Sequence, residues 1–132
     1  MSEGSDIQFG ASPASPAASE ADEKLRKVRA LMKLRESRRA LFGPRLFTDP
    51  DWEIMLRLFA AELDGSSVRH ADLLSSVTTV PTSTLLRFLR VLEDDARLVR
   101  TENNGDEVLK LTEDSLLAMH AMFEILPGER LL

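Results

Sequence analysis

The chain contains no cysteine, no tyrosine and one tryptophan, and aromatic residues make up only 5% of its 132 positions. Without cysteine there is no disulfide framework, no thiolate zinc site and no cysteine nucleophile. The absence also fits a reducing compartment. With so few rings, the core has to be built from Leu, Val, Ile, Met and Phe. Apolar residues reach 43%, which is enough for one domain. No apolar run approaches the ~18 residues a membrane span requires. No basic stretch followed by an apolar one marks the N-terminus as a signal peptide. The expectation is a soluble, cytoplasmic protein with no membrane contact.

Groups suited to catalysis are equally scarce. His70 and His120 are the only histidines, and they fall in different helical segments without ligand spacing. Each reads as a surface or partly buried side chain rather than a metal ligand. No Gly-rich phosphate loop follows a strand. Asp94-Asp95 and Asp106-Glu107 are acid pairs, but neighbours on a helix or turn do not converge on one substrate. The sequence therefore reads as non-enzymatic, with no catalytic residue, no metal and no cofactor.

Charge is present but segregated. Residues 1–23 hold five acids and no Lys or Arg. Residues 24–45 hold nine Lys and Arg against Glu36 alone, a net of +8, and residues 46–132 hold eight bases against sixteen acids, a net of −8. The overall −5 thus conceals one strongly basic segment beside an acidic remainder.

Residues 1–20, rich in Ser, Ala, Gly and Pro, offer too little apolar surface to offset ordering and read as a disordered tail. Residues 21–45 read as a basic amphipathic helix, with Leu25, Val28, Leu31, Met32 and Leu34 at helical spacing and Gly43-Pro44 as the stop. Three uses of this helix are open: docking on its own domain or a second subunit, contacting phosphates as an arm, or lying on a membrane or other partner.

Residues 46–132 form the remaining unit. Thr48-Asp49-Pro50-Asp51 is a helix start, with a capping residue, Pro in the first turn and acids at the positive dipole end. Trp52, Ile54, Met55, Leu58, Phe59 and Leu63 follow at helical spacing to Gly65, and Trp52 reads as a core anchor. Ser66-Ser67-Val68 reads as a very short strand. A helix over 69–77 turns Ala71, Leu73 and Leu74 inward; the β-branched Thr78-Thr79-Val80 breaks it. Pro81 restarts a helix that runs to about Asp95, completing a helix-turn-helix.

Strands are expected over 98–101 and 108–111 around Asn103-Asn104-Gly105-Asp106, whose Asn-Gly supplies the positive φ values of a type I′ turn. Thr112-Glu113-Asp114 caps a last helix through Leu126, stopped by Pro127-Gly128. Helix-turn-helix followed by a tight hairpin is the winged helix-turn-helix order. The expected class is mainly α with a small β-hairpin, plus an extra N-terminal helix and a C-terminal helix.

On a helical wheel at ~100° per residue, Leu85, Leu89, Leu92 and Ala96 cluster with Phe88 beside them, marking the core side. Ser83, Arg87 and Arg90 lie opposite, flanked by Thr84 and Val91. An Arg fork matches the O6/N7 edge of guanine, and short hydroxyls let a helix sit close in the major groove. Free N–H groups in the first turn favour phosphate. The bland alternative is a merely solvated face. Asp94, near Glu93 and Asp95, restricts any DNA contact to the first two turns.

The run Ser83-Thr84-Leu85-Leu86-Arg87-Phe88-Leu89-Arg90-Val91-Leu92-Glu93 resembles the recognition helix of MarR-type winged-helix transcriptional regulators. Leu98-Val99-Arg100, the hairpin and Leu111-Thr112 are similar to that family's wing and its exit. The resemblance spans residues 49–125 and implies a homodimer on a pseudo-palindromic site, with Ser83, Thr84 and Arg87 at the DNA. The chain departs from the family pattern where Ala96-Arg97 replaces a Gly. It departs again at a wing tip of Asp106 and Glu107, which leaves Arg100 and Lys110 as the wing bases.

The expected function is a DNA-binding transcriptional regulator that reads double-stranded DNA with helix 81–95. Its expected DNA contacts are Thr82, Ser83, Thr84, Arg87, Arg90, Arg100 and Lys110. A small-molecule effector is left open, but no residue identifies one. The alternative is a winged helix serving as a protein-interaction or assembly module without sequence-specific DNA binding. The acidic unit beside a basic helix suggests that pairing.

Overall fold

The computed structural model describes residues 16–43 and 49–125. The first helix, α1, runs from Pro16 to Phe42 over 27 residues. Pro suits the first helical position because its fixed φ is already helical and its missing N–H has no partner to lose there. Ala17 and Ala18 follow, and Ala is the strongest helix former. The helix therefore takes in positions 16–20, which the sequence assigns to a disordered tail; the tail expected over 1–15 lies outside the described residues. Gly43, at φ 103°, donates its N–H to Arg39 O at 2.9 Å and closes the helix, while Pro44 and Thr48 are outside the described residues.

Val28 is fully buried, and Leu31 and Met32 pack partly buried against the core, so one face of α1 lies along α2 (Pro50–Asp64) and α5 (Glu113–Ile125). Of the uses open to the basic helix, the structure shows docking on its own domain. The α2 helix is the hub. Ile54, Leu56, Leu58 and Phe59 are all 3% exposed or less, so more than one of its faces is covered. The Phe59 ring lies 5.6 Å from that of Phe123 and meets His120 edge-on at 5.0 Å. Deleting such a ring costs about 3–5 kcal/mol. Trp52 is half-buried against the same core.

After Gly65, left-handed at φ 77°, the chain makes β1 (Val68–Arg69) and α3 (His70–Ser76), crosses residues 77–81, and makes α4 (Thr82–Asp94). Leu73 and Val77 are buried, whereas Ala71, expected inward, is exposed. On α4, Leu85 and Leu89 are fully buried and Leu92 nearly so. Ala96, assigned to that same apolar side, is exposed because the helix ends two residues before it.

The corner after α4 has a specific construction. Ala96 N–H bonds Glu93 O at 3.0 Å and Arg97 N–H bonds Leu92 O at 2.8 Å, the paired helix stop that calls for a left-handed residue at the first of the two donors. Ala96 occupies that position at φ 59°. Thr112 fastens the corner, donating Oγ1–H to Ala96 O at 2.8 Å and its N–H to Arg97 O at 3.1 Å.

Two further strands, β2 (Leu98–Asn103) and β3 (Asp106–Leu111), pair from Leu98↔Leu111 out to Asn103↔Asp106. Each is longer than expected because pairing continues up to the turn. Asn104 at φ 55° and Gly105 at φ 86° make the two-residue turn that Asn-Gly favours. Of the short strand expected at 66–68 only Val68 forms part of β1, which continues to Arg69 and adds to β3, giving a three-stranded antiparallel sheet in the order β1-β3-β2. In α5, Met119 and Phe123 are buried; the stop expected at 126–128 lies outside the described residues.

The architecture is mainly helical, with five helices among the described residues and a small antiparallel sheet. No helix among the described residues is long and apolar enough to cross a membrane.

Candidate nucleic-acid interface

With Leu85, Leu89 and Leu92 held in the core, the 3.6-residue period turns the opposite side of α4 to solvent. Ser83, Arg87 and Arg90 are exposed there with Thr84 half-buried beside them, while Thr82 is exposed as the first residue of the helix, on the leucine side. The first backbone bond of the helix is Leu85 N–H to Pro81 O, so the N–H groups before it are left for another acceptor. Among the described residues, no acid pairs with Arg87 or Arg90. Their guanidinium donors are therefore unengaged among the described residues. Leu86 and Val91, 40% and 61% exposed, border the same surface.

The far end of α4 differs. Arg97 holds Asp95 at 3.0 Å, and Arg100 donates Nε–H to Glu93 at 2.8 Å and Nη1–H to Glu107 at 3.2 Å. Strand alternation puts Arg100 on the same side of β2 as the buried Leu98, so it turns toward α4. Its bond to Glu93 raises its pKa above the ordinary value, against a burial effect in the opposite direction. Lys110 is exposed and sits opposite Val99 near the base of the hairpin. The expected site residues thus divide. Ser83, Arg87 and Arg90 share an open helix face with Thr84 at its edge; Thr82, exposed at the helix start, lies on the leucine side; Arg100 is held by carboxylates and Lys110 stands on the hairpin.

Much of the basic segment is engaged inside the chain. Lys24 lies 3.5 Å from Glu124 and donates to His120 Nδ1 at 3.0 Å, and Lys27 donates to Phe123 O at 2.9 Å. Arg29 meets Asp64 at 3.3 Å. Arg39 and Arg57 flank the buried Glu53 carboxylate at 3.9 and 3.1 Å. Arg35, 4% exposed, takes both carboxylate oxygens of Asp49. The segregation of charge along the sequence is therefore partly cancelled in three dimensions, as α1 lays its bases against acids of α2 and α5.

Those contacts also shift titrations. The Arg35 hydrogen bond holds Asp49 below its ordinary carboxyl value despite burial acting the other way. Burial, seconded by Lys24, pushes His120 down, opposed by Glu124 and Glu62. Sequence reasoning missed these partners. Asp49 looks like a helix cap, yet its carboxylate makes no cap bond and serves Arg35 instead. Glu93 and Arg100 are brought together only by the corner at Ala96.

Among the described residues, no group of three His, Asp or Glu side chains is placed to hold a metal ion. The prominent chemical feature is a basic helix face, without an acid partner among the described residues, between a short helix-turn and a hairpin. No protein-family model matches the chain, and no curated protein or solved structure is found to be similar to it.

Proposed function

We propose that this chain is a winged helix-turn-helix regulator of transcription that reads double-stranded DNA as a cytoplasmic homodimer rather than acting as an enzyme. The observation that carries the reading is the outward pair Arg87 and Arg90, without an acid partner among the described residues, behind the Ser83 hydroxyl on the same face. Such a face offers forked donors for guanine edges and free first-turn N–H groups for a phosphate. The element order supports it: short helix, five-residue break, helix, then a two-stranded hairpin. The resemblance of residues 83–93 to a MarR-type reading helix points the same way.

A second subunit is supported by α5. Leu117 and Met122 are 62% and 42% exposed, and the small Ala118 and Ala121 are exposed beside them. These positions fall within one ~140° arc of the helix, shared with the exposed Asp114, and burial against another copy would remove their apolar surface from water.

Selection of bound duplexes from a random pool by the full chain tests the proposal. A two-fold symmetric motif is the expected result, since a symmetric dimer imposes its symmetry on the site. Absence of any retained duplex at low salt would remove the DNA reading. The competing function, a protein-interaction module, draws on Leu86 and Val91 beside the arginines, a mixed apolar and basic face. Oligomerisation with no DNA retardation is the result that favours it.

A further inference from the structure

The hairpin raises a separate question about how such a domain would meet DNA. Its tip is acidic: Glu102, Asp106 and Glu107 are all exposed, and Glu102 stands directly opposite Glu107 across the strands. Asp106 is held by Arg69 at 3.5 Å and Glu107 by Arg100 at 3.2 Å, while Glu102 has no cation beside it among the described residues. Lys110 does not offset this, because its register partner Val99 places it near the base of the hairpin, away from the turn. A narrow minor groove concentrates negative potential and attracts inserted cations. This tip presents charge of the wrong sign.

Arg100 is the one hairpin guanidinium, and it is already occupied on two edges. Nε–H serves Glu93 of α4 and Nη1–H serves Glu107 of β3. Withdrawing it to reach a groove would strip both carboxylates of their partner and add their charge to the acidic end of α4, where Asp94 is also exposed.

We infer that the hairpin stays off the nucleic acid, that each half-site is read through the major groove alone by the first turns of α4, and that Arg100 is a positioning residue tying the hairpin to that helix. The inference rests on the DNA-binding reading above and narrows it. Arg87 and Arg90 then carry the base discrimination, and the hairpin's role is to brace the corner at Ala96 from which α4 projects.

The test uses the full chain and the duplex it selects from a random pool at low salt. Saturating that duplex with netropsin, a minor-groove ligand, should change Kd by less than about twofold, whereas replacing half-site guanines by 7-deazaguanine should weaken binding by roughly tenfold or more. Displacement of the protein by netropsin overturns the inference while leaving DNA binding intact. Failure to retain any duplex overturns the DNA reading itself, and the inference with it.

Arg100→Ala adds a second readout. The selected sequence should stay the same while matched and scrambled duplexes lose affinity alike. Altered base preference in that variant would make Arg100 a reader and overturn its assignment. The netropsin arm needs no substitution, so it decides the matter even if Arg100→Ala folds poorly.

Discussion

Arg35 of α1 takes both carboxylate oxygens of Asp49, Nη1–H to Oδ2 at 3.0 Å and Nη2–H to Oδ1 at 2.6 Å. The Arg35 side chain is 5% exposed and that of Asp49 50%, so a buried cation is tied to a partner at the surface. The two-pronged geometry suits Arg and not Lys. It fastens the basic helix across the start of α2.

Removing the carboxylate should therefore hurt more than an ordinary surface pair would. Asp49→Ala leaves a buried guanidinium without its main acceptor and is expected to cost about 1–3 kcal/mol in chemical denaturation. The same bond sets a pH dependence. Asp49 titrates below its ordinary 3.8 in the fold, so its contribution is complete above that pH and is lost as pH falls through the lower folded value. An acid-unfolding midpoint identical in wild type and Asp49→Asn would refute this.

Ala96 gives a prediction of opposite sign. A left-handed alanine at φ 59° carries strain of about 1–2 kcal/mol, partly offset on replacement by the larger entropy that Gly loses. Ala96→Gly should stabilise the domain by roughly 0.5–1 kcal/mol, read as a higher urea midpoint with unchanged slope. A lower midpoint would mean that the corner is not strained.

His120 should make the α1–α5 contact sensitive to mild acid. Folded, the ring titrates below its ordinary 6.5 because it is partly buried and its Nδ1 accepts from Lys24; Glu124 and Glu62 act against this but do not prevail. The unfolded chain consequently binds the proton first. Stability from the neutral ring is complete above pH 6.5 and declines as pH drops toward the folded value. The fall in Tm between neutral and mildly acidic buffer should be shallower in His120→Asn than in the parent, and equal slopes would remove the effect.

The apolar side of α5 should govern mass in solution. Leu117→Glu with Met122→Glu puts charge on side chains that are 62% and 42% exposed, so the fold of one subunit should be little affected. Light scattering is expected to show a dimer for the parent and a monomer for the double variant. A monomeric parent would end the homodimer proposal without touching the fold.

Arg87→Ala should reduce affinity for a selected site by about 1–3 kcal/mol and relax its base preference. Binding by the parent should fall with salt at a slope near −0.9 per phosphate neutralised. Retardation assays on matched and scrambled duplexes measure both. Unchanged discrimination in Arg87→Ala would take base reading away from this face.

Much of the secondary structure was legible because its signals are local. Pro50 and Gly65 bracket α2, Asn104-Gly105 carries the positive φ values of the turn, and the leucines of α4 repeat at helical spacing. The outward position of Arg87 and Arg90 follows from that same period once the leucines are buried. One error was itself local. Pro16-Ala17-Ala18 reads as low-complexity tail, yet it begins a helix, since Pro at a first position and two alanines favour one.

What the sequence by itself determined, then, is the order of elements, the turn chemistry and which side of α4 is apolar, because each depends on residues a few positions apart. Tertiary structure alone decided where the charges go. Arg35 and Asp49 are fourteen positions apart, Lys24 and His120 ninety-six, and no periodicity in a single chain encodes such meetings. It also decided that Arg100 is held and Arg87 is open, two arginines alike in composition and separated by a corner that turns one toward carboxylates and leaves the other in water.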